Sequence, residues 1–254
     1  MISILIPTYN YNAYTLVKEL HSQLITTTFK FEIICIDDGS KSDLNLENKK
    51  INRLSFSDFI ISESNLGRSA IRNLLSKKAT YNWLLFLDAD VFPTNKNFVV
   101  QYLNNIPSEN TISCGGISYK KDNFKKNLLR YKYGKKYEEI SVSQRNLKPY
   151  KFFLTSNFLI HKTVFNKIHF DEKLINYGYE DLLFSKALKA KNVKVLHIEN
   201  EVYHLGIDAN VIFIRKTKEA LNNLAFLLSE NEIQFQDTSL TAFLSKYKFL
   251  GLLR

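Results

Sequence analysis

Residues 83–90 read WLLFLDAD, an apolar run that ends in two carboxylates spaced two residues apart, Asp88 and Asp90. Five consecutive apolar residues without alternation are typical of a strand buried on both faces, as in a parallel sheet. Residues i and i+2 of an extended chain point the same way, so both carboxylates are predicted to face one cation. Their oxygens suit Mg²⁺ or Mn²⁺, although a plain Asp-x-Asp turn is an equally simple interpretation.

Upstream of this stretch, apolar strands alternate with amphipathic helices. Strands are predicted at 2–6, 31–36 and 59–62, and helices at 12–24 and 66–78. This alternation predicts an α/β domain with a mostly parallel sheet flanked by helices. Ligands of such sheets bind beyond the carboxyl ends of the strands. The polar residues that fall there are Thr8, Asn10, Asp37, Asp38, Glu63, Asn65, Asp88 and Asp90.

The alternation loosens beyond Asp90, where short elements follow at uneven intervals. Strands are predicted at 112–119, 152–160, 193–198 and 202–204, and helices at 163–168, 180–191 and 210–228. No repeat, low-complexity tract or Pro/Gly-rich linker interrupts the sequence. We therefore expect one domain over residues 1–230, with parts at 1–92, 93–205 and 206–230, followed by a basic amphipathic tail at 231–254.

The net charge of +10 is concentrated in one segment. Residues 119–151 hold eleven basic residues and three acids, a local charge of +8, and residues 239–254 add three cations among apolar residues. Local basicity indicates a site or a charged surface, so a membrane-surface or nucleic-acid-binding module without catalytic activity is one interpretation. The aromatic residues between the lysines would suit a single nucleic-acid strand: Phe124, Tyr131, Tyr133 and Tyr137.

Four short segments occur in a fixed order along the first ninety residues: PTYN at 7–10, IDDGS at 36–40, NLGRSAIRN at 65–73 and LDAD at 87–90. As an ordered set they closely resemble the family 2 glycosyltransferases, which are inverting enzymes of the GT-A fold. The resemblance covers residues 1–205 and is densest before residue 92. It implies a Rossmann-like central sheet, with residues 1–92 binding a nucleotide sugar, residues 93–205 facing the acceptor and a closing helix within a C-terminal helical extension.

The resemblance assigns donor-binding roles within these segments. Asp37 matches the aspartate that accepts a hydrogen bond from the nucleotide base, usually uracil, and Thr8 and Tyr9 match residues of the base and ribose pocket. Asp88 matches the aspartate nearer the ribose, and Asp90 matches the one that ligates the metal. The segment that approaches the donor and its diphosphate contributes Asn65, Arg68 and Arg72. For Arg72 the alternative is a surface charge on a helix.

The segment GYED at 178–181 resembles the acidic pair ahead of the last core helix of the family. In that pair the aspartate, here Asp181, acts as base, and the glutamate, here Glu180, holds the acceptor. An inverting, in-line attack needs such a base for the proton of the acceptor hydroxyl. Many relatives carry Trp-Gly-Gly before the pair where this chain has NYGY at 176–179, which predicts an aromatic but differently shaped acceptor platform. The alternative is an ordinary helix start, because acids favour helix N-termini.

Two further residues have a structural alternative. His204 resembles a histidine that some relatives use as a metal or diphosphate ligand, and a neutral imidazole is a reasonable third ligand beside carboxylate oxygens. A histidine at a strand end can equally have a structural role. Asp38 is expected to shape the turn after the second strand rather than to contact a ligand.

These features predict a metal-assisted transfer of a sugar from a UDP-sugar to a hydroxyl of a glycan or polyprenyl-linked acceptor, as in polysaccharide synthesis. A sugar-1-phosphate nucleotidyltransferase would need a Gly-rich, basic phosphate loop after the first strand, and PTYN is not one. Nucleic acid is not an expected partner, because strand-end carboxylates repel phosphate when no metal is bound.

The sequence shows no secretory leader and no apolar run of about 20 residues, so a cytoplasmic location is expected. Peripheral contact with the inner face of the membrane is expected through residues 119–151 and 239–254, because cations and an apolar helix face together favour anionic lipid. The alternative is that the tail packs on the domain and that the lysines form a solvated face.

Overall fold

The computed structural model describes residues 1–121, 125–126, 128–174 and 177–246. The strands in this part of the chain, numbered in chain order, are β1 (Ile2–Thr8), β2 (Phe31–Asp37), β3 (Ser57–Ile61), β4 (Trp83–Leu87), β5 (Val91–Pro93), β6 (Thr111–Cys114), β7 (Ile117–Ser118), β8 (Asn157–His161), β9 (Lys194–His197) and β10 (Val202–His204). The helices are α1 (Tyr14–Leu24), α2 (Asn45–Asn48), α3 (Arg68–Lys78), α4 (Phe98–Asn104), α5 (Leu129–Tyr137), α6 (Val142–Leu147), α7 (Lys162–Ile168), α8 (Glu180–Ala190), α9 (Asn210–Ser229) and α10 (Ser239–Lys246).

Seven of the described strands form the central sheet, in the order β3-β2-β1-β4-β8-β6-β9. The four strands from β3 to β4 run parallel, as do β6 and β9, while β8 is antiparallel to both of its neighbours. The predicted α/β fold, with a mostly parallel sheet flanked by helices, is confirmed. In the parallel half the carboxyl ends of the strands meet at one edge, so the residues that follow these strands come together.

Apolar side chains cover both faces of the sheet because successive residues of a strand point to opposite sides. In β1, Ile4 and Ile6 pack with α1 and α4, whereas Leu5 belongs to the core that includes α3, α7 and α8. On that second side, Phe86 of β4 stacks on Phe158 of β8 with ring centroids 4.9 Å apart. Each fully buried side chain of this size contributes about 1.5–3 kcal/mol, so the strand ends that carry the site are held rigidly.

A second, smaller sheet of described strands has the order β5-β10-β7. The single strand predicted at 112–119 is therefore wrong, because β6 belongs to the central sheet and β7 to the small one. Gly115 and Gly116 separate them, and a Cβ at Gly115 would lie 2.1 Å from the carbonyl oxygen of Asn200. The close backbone approach that glycine permits is what moves the chain from one sheet to the other.

The C-terminal helical extension expected from the sequence is present as α9, a 3₁₀ turn at Phe235–Asp237 and α10. The second half of α9 packs through Leu224 and Leu227, which join Leu174 and Ile233 in an apolar cluster of their own. No helix in the described part of the chain is both long enough and apolar enough to cross a bilayer. Three parts of the sequence interpretation lie outside the described residues: Phe124, Asn176 and residues 247–254.

The part of the predicted tail that the structure describes is attached to the domain. Asp237 forms an ion pair with Lys186 of α8, and Lys151 Nζ donates to Ser239 Oγ at 3.1 Å. On α10, which follows these contacts, Leu240 is still 42% exposed. The packing expected as the alternative therefore holds for the start of the tail, while Leu240 and Phe243 of α10 are exposed.

Candidate active site

The residues at the ends of β1 and β2 lie side by side. The strand register pairs Thr8 with Asp37, and the backbone N–H of Asp38 donates to the Thr8 carbonyl at 2.8 Å. The Thr8 hydroxyl is buried and donates to the Tyr11 carbonyl at 3.1 Å. Tyr9, in contrast, is 53% exposed. Thr8 and Asp37 are thus both buried, whereas the Tyr9 ring is accessible to a ligand.

Asp37 is buried, and only one of its carboxylate oxygens is satisfied. Oδ2 accepts hydrogen bonds from the backbone N–H of Ser40 at 2.9 Å and from Asn45 Nδ2 at 3.0 Å. Oδ1 is buried and has no hydrogen-bond partner among the described residues. A buried acceptor without a donor costs about 1–3 kcal/mol, so this oxygen is suited to an N–H group of a bound ligand.

Asp38 holds the loop that leads into α3. Its two carboxylate oxygens accept from the backbone N–H groups of Leu66 at 2.7 Å and Gly67 at 3.0 Å. The exposed Asn65 side chain donates to the Asp38 carbonyl at 3.1 Å. Both carboxylate oxygens of Asp38 are therefore occupied, which agrees with its expected role in shaping the turn.

Asp88 is held in place by Arg72, whose side chain is only 2% exposed. Arg72 donates from Nη2 to Asp88 Oδ1 and from Nη1 to the Arg68 carbonyl, the latter at 2.9 Å. Burial alone would raise the pKa of Asp88, but Arg72, Arg68 and His204 outweigh it, so the pKa lies below the usual value. Asp88 is therefore ionised at neutral pH, and Arg72 acts through it rather than as a surface charge.

The two carboxylates after β4 take different directions. Residues 88–90 turn into β5, so the extended geometry predicted for Asp88 and Asp90 is wrong. Asp88 faces Arg72, whereas Asp90 Oδ2 lies 3.6 Å from His204 Nε2. The antiparallel register of β5 and β10, which pairs Val91 with His204, brings this second pair together. The structure thus brings together Asp90 and His204, which lie 114 residues apart in the sequence.

The pair formed by Asp90 and His204 fits a divalent cation. Two adjacent ligands of an octahedral ion at about 2.1 Å lie about 3 Å apart, close to the separation of their oxygen and nitrogen. Gly206 leaves the carboxylate open, because a Cβ there would lie 2.0 Å from Asp90 Oδ2. The described residues contain no group of three or more side chains that could hold a metal. A cation here would complete its shell with water and substrate oxygens, as Mg²⁺ commonly does.

Glu180 opens α8, directly after Tyr179, whose φ of 71° is left-handed. Its side chain is 7% exposed and forms an ion pair with Nε of Arg68 in α3. The carboxylate is therefore largely covered and has a cationic partner, while the contact of Glu180 with an acceptor stays a prediction. The ion pair links the helix that carries Asp181 to the helix that carries Arg72.

Asp181, the next residue, has the most unusual carboxyl group of the site. Burial raises its pKa, and the neighbouring Glu180 carboxylate raises it further, to about 7, against the opposing effects of the Leu182 N–H and Arg68. The Leu182 N–H donates to Asp181 Oδ1 at 2.8 Å. A carboxyl group that exchanges its proton near neutral pH can act as a general base under physiological conditions.

The loop ahead of Asp181 is braced by α9. Asn223 Nδ2 donates to the carbonyls of Tyr177 at 3.2 Å and Gly178 at 3.1 Å. Gly178 has φ +102°, and a Cβ there would lie 2.8 Å from the Ala220 side chain, so glycine is needed for conformation and for space. On the other side, Phe184 of α8 stacks on Phe170 at 4.3 Å between ring centroids. The position of Asp181 is therefore fixed from two sides.

The sequence interpretation missed the cations that surround Tyr177, although it predicted an aromatic platform there. The guanidinium carbon of Arg68 lies 5.1 Å from the Tyr177 ring centroid, and Lys216 Nζ of α9 lies 5.5 Å from it. Lys216 is also bound to Asp208 at 2.8 Å. Only the general basicity of the chain hinted at this arrangement.

A second missed group lies against His204. Its imidazole is stacked on Tyr119 at 5.6 Å between ring centroids, and Arg130 Nη2 lies 3.4 Å from its Nε2. The charge of residues 119–151 marked this segment as a whole, but no spacing or motif singled out Tyr119 or Arg130. Burial raises the pKa of Tyr11, and the negative charge of the nearby Asp90 raises the pKa of Tyr11 further.

The family model described as "Glycosyl transferase family 2" matches residues 3–169, which include the donor-side carboxylates but neither Asp181 nor His204. An uncharacterized glycosyltransferase of Haemophilus influenzae is 34% identical over 117 residues, which are 44% of this chain and 37% of that protein. Among solved structures, S. aureus TarS in complex with UDP has a TM-score of 0.55 and 23% identity, covering 80% of this chain and 59% of that one.

The mannosyltransferase PcManGT from Pyrobaculum calidifontis, solved in complex with GDP-Man and Mn²⁺, has a TM-score of 0.54 and 12% identity, covering 80% of this chain and 56% of that one. The similarity to these solved structures shows that the chain has the fold of the GT-A glycosyltransferases. The chain spans less than two thirds of the length of each of these three proteins.

Proposed function

Because this chain belongs to glycosyl transferase family 2, we propose that it transfers a sugar from a UDP-sugar to a hydroxyl group of a glycan or lipid-linked saccharide, with inversion at the anomeric carbon. One observation supports this most directly. Asp181 carries a carboxyl group with a pKa of about 7. Its neighbour Glu180 forms an ion pair with Arg68 of α3, and Arg72 of the same helix holds the strand-end carboxylate of Asp88. Donor-binding and proton-accepting groups therefore share one rigid site.

The nucleotide base is proposed to bind at Asp37. The Oδ1 atom of Asp37 has no hydrogen-bond partner among the described residues. An ionised carboxylate accepts hydrogen bonds and donates none, so this oxygen suits the N3–H of uracil. Thr8 and Tyr9 would line the base and ribose, and Asp88 would lie nearer the ribose. TarS, whose fold this chain shares, was solved with UDP, which supports a uridine nucleotide as the donor. Residues 1–92 thus form the proposed nucleotide-sugar half.

Asp90 and His204 are the residues that would hold Mn²⁺ or Mg²⁺. When bound, the cation supplies Lewis-acid stabilisation of the negative charge that develops on the departing diphosphate. Asp88 stays ionised through its contact with Arg72 and adds a second carboxylate near the same turn. The chain's own contribution is to keep Asp88 charged and to hold both carboxylates in fixed positions.

Asp181 is the proposed general base. As the acceptor oxygen forms its bond to the anomeric carbon, the bond from that carbon to the diphosphate oxygen breaks on the opposite side. The hydroxyl proton passes to the Asp181 carboxylate, and the nucleoside diphosphate leaves with the bonding electron pair. Attack from the side opposite the leaving group inverts the configuration. Tyr177 and Tyr179 flank the carboxyl and would form the acceptor platform, within a half that spans residues 93–205 and is closed by the helix at 206–230.

Peripheral contact with the cytoplasmic face of a membrane is proposed as well, because a polyprenyl-linked acceptor would be found there. Its support is the set of exposed lysines within residues 119–151, where Arg130 and Arg145 are buried, together with the exposed Leu240 and Phe243 on α10. Each cation near an anionic leaflet contributes about 1 kcal/mol. Residues 247–254 complete the proposed contact and lie outside the described residues.

Calorimetric titration of UDP in Mn²⁺ tests the metal and donor assignment. Asp90→Asn should lose most of the Mn²⁺-dependent part of UDP affinity and nearly all transfer, while its melting temperature stays near that of the unmodified protein. Asp58→Asn, an exposed carboxylate on β3, is the matched control. UDP affinity in Mn²⁺ that is unchanged in Asp90→Asn would remove Asp90 from the metal site.

A further inference from the structure

Arg130 of α5 is a buried cation with an unused donor. Its side chain is 9% exposed, and its Nη2 donates to Glu138 at 3.0 Å. Its Nη1 is buried and has no hydrogen-bond partner among the described residues. A buried guanidinium N–H without an acceptor is costly, because water that would satisfy it is excluded. The proposed mechanism above leaves this group without a role.

The position of Arg130 is fixed by its neighbours. Its guanidinium carbon lies 5.7 Å from the Tyr119 ring centroid, and the Tyr119 hydroxyl donates to the same Glu138 carboxylate. The Tyr119 ring is also stacked on the imidazole of His204. Glu138 and Tyr119 therefore orient the guanidinium before any ligand arrives, which is the condition for strong and specific binding.

Arg130 also lies next to the proposed metal site. Its Nη2 is 3.4 Å from His204 Nε2, which in turn is 3.6 Å from Asp90 Oδ2. A cation bound between Asp90 and His204 would repel the guanidinium unless an anion lay between or beside the two. Phosphate oxygens meet this requirement, since they ligate divalent ions and match the planar donor geometry of arginine.

We propose that Arg130 binds a phosphate group of the donor diphosphate, donating from Nη1 to a phosphate oxygen beside Asp90 and His204. This inference rests on the proposed function for the presence of a diphosphate at that place. It gives one residue of the basic segment 119–151 a role on the donor side, where the sequence alone assigned the whole segment to the acceptor or to a surface.

Titrations with uridine, UMP and UDP separate phosphate binding from base binding. Arg130→Gln should bind UDP about 10- to 100-fold more weakly, as expected for the loss of one charge-assisted hydrogen bond, and should bind uridine as the unmodified protein does. Because the proposed contact is direct, the loss should persist when Mn²⁺ is omitted. Lys132→Gln, an exposed cation on the same helix, is the control and should leave all three affinities unchanged.

Arg130→Lys guards against a folding defect in the glutamine variant. It keeps the charge but not the planar fork, so its UDP affinity should fall between those of the unmodified protein and Arg130→Gln. Equal UDP affinity in the unmodified protein and in both variants overturns the role of Arg130 and leaves the proposed function in place. An equal loss for uridine and UDP assigns Arg130 a purely structural role. Failure of the unmodified protein to bind UDP overturns the proposed function itself.

Discussion

The donor-side edge of the sheet and the region after residue 92 are built in different ways. Thr8 and Asp37 end two neighbouring parallel strands and Asp88 follows the next one, so the sheet brings them together. Asp181 lies on a later helix that is held by the ion pair of Glu180 with Arg68 and by the contacts of α9 with the loop before it. The proposed donor site is thus built on the sheet, whereas the position of the proposed base depends on side-chain contacts between distant elements.

One residue connects the two regions. Arg68 at the start of α3 pairs with Glu180, 112 residues away, and its charge also lowers the pKa of Asp88. Changes at Asp181 should leave donor binding intact, and removal of the Glu180 charge should act mainly on the base. Two experiments test this separation, and a third tests the surface outside both regions.

The largest effect is expected for Asp181→Asn. An amide cannot take the hydroxyl proton, so turnover should fall by about two to four orders of magnitude. UDP affinity in Mn²⁺ should stay within error of the unmodified protein, because the hydrogen bond of this carboxyl among the described residues comes from the Leu182 N–H and not from a donor-side group. Asp58→Asn again serves as control for the charge change. Near-full turnover in Asp181→Asn would place the base elsewhere, and a parallel loss of UDP affinity would contradict the separation of the two regions.

A smaller effect, visible in the pH profile, is expected for Glu180→Gln. The base must lose its proton to act, and its pKa is about 7, so kcat/KM should fall about tenfold per pH unit below that value. Removing the Glu180 charge lowers the pKa of Asp181 and moves this acid limb to lower pH.

The quantity to compare is kcat/KM at pH 6 divided by its maximal value. This ratio should be larger for Glu180→Gln than for the unmodified protein. Glu47→Gln, which removes an exposed carboxylate paired with Lys50, should leave the profile unchanged. An acid limb at the same pH in Glu180→Gln and in the unmodified protein would show that Glu180 does not act on the base.

The smallest effect concerns the surface outside both regions. Binding to anionic vesicles, measured by co-sedimentation, should weaken severalfold in Leu240→Glu, because the change removes an apolar contact and adds a repelled charge. Leu46→Glu, on an exposed position of α2, is the matched control. Binding should also weaken in high salt and be absent with neutral vesicles. Equal indifference to both kinds of vesicle would remove the membrane contact from the proposal.

The sequence predicted the fold, and the polar residues that lie at the strand ends, because both follow from short-range patterns. Apolar strands of five to seven residues and the polar residues after them are visible in any ten-residue window, as at Asp37. The turn at 88–90 was considered only as the alternative to an extended chain, because the two-residue period of a strand was carried past the end of β4. The ion pair of Glu180 was not predicted, because its partner Arg68 lies in another element.

The region between β5 and β8 was the least predictable. The helices α5 and α6 carry too many charged residues for a clear apolar stripe, and neither was predicted. The basic residues of this region were counted as one surface, yet Arg130 and Arg145 are buried. Burial of an arginine depends on acceptors that arrive from elsewhere in the fold, such as Glu138 for Arg130, and composition carries no information about them.

The three-residue ladder between β5 and β10 constrains how this protein can change in evolution. Val91 pairs with His204 and Phe92 with Tyr203, so the imidazole faces Asp90 only in this register. Because the strands pair residue by residue, the insertion or deletion of one residue within either strand would replace the imidazole by the side chain of Tyr203 or of Leu205. Length variation should therefore accumulate in the loops before Val202 and after Gly206, while the ladder itself tolerates substitution but not a change of length.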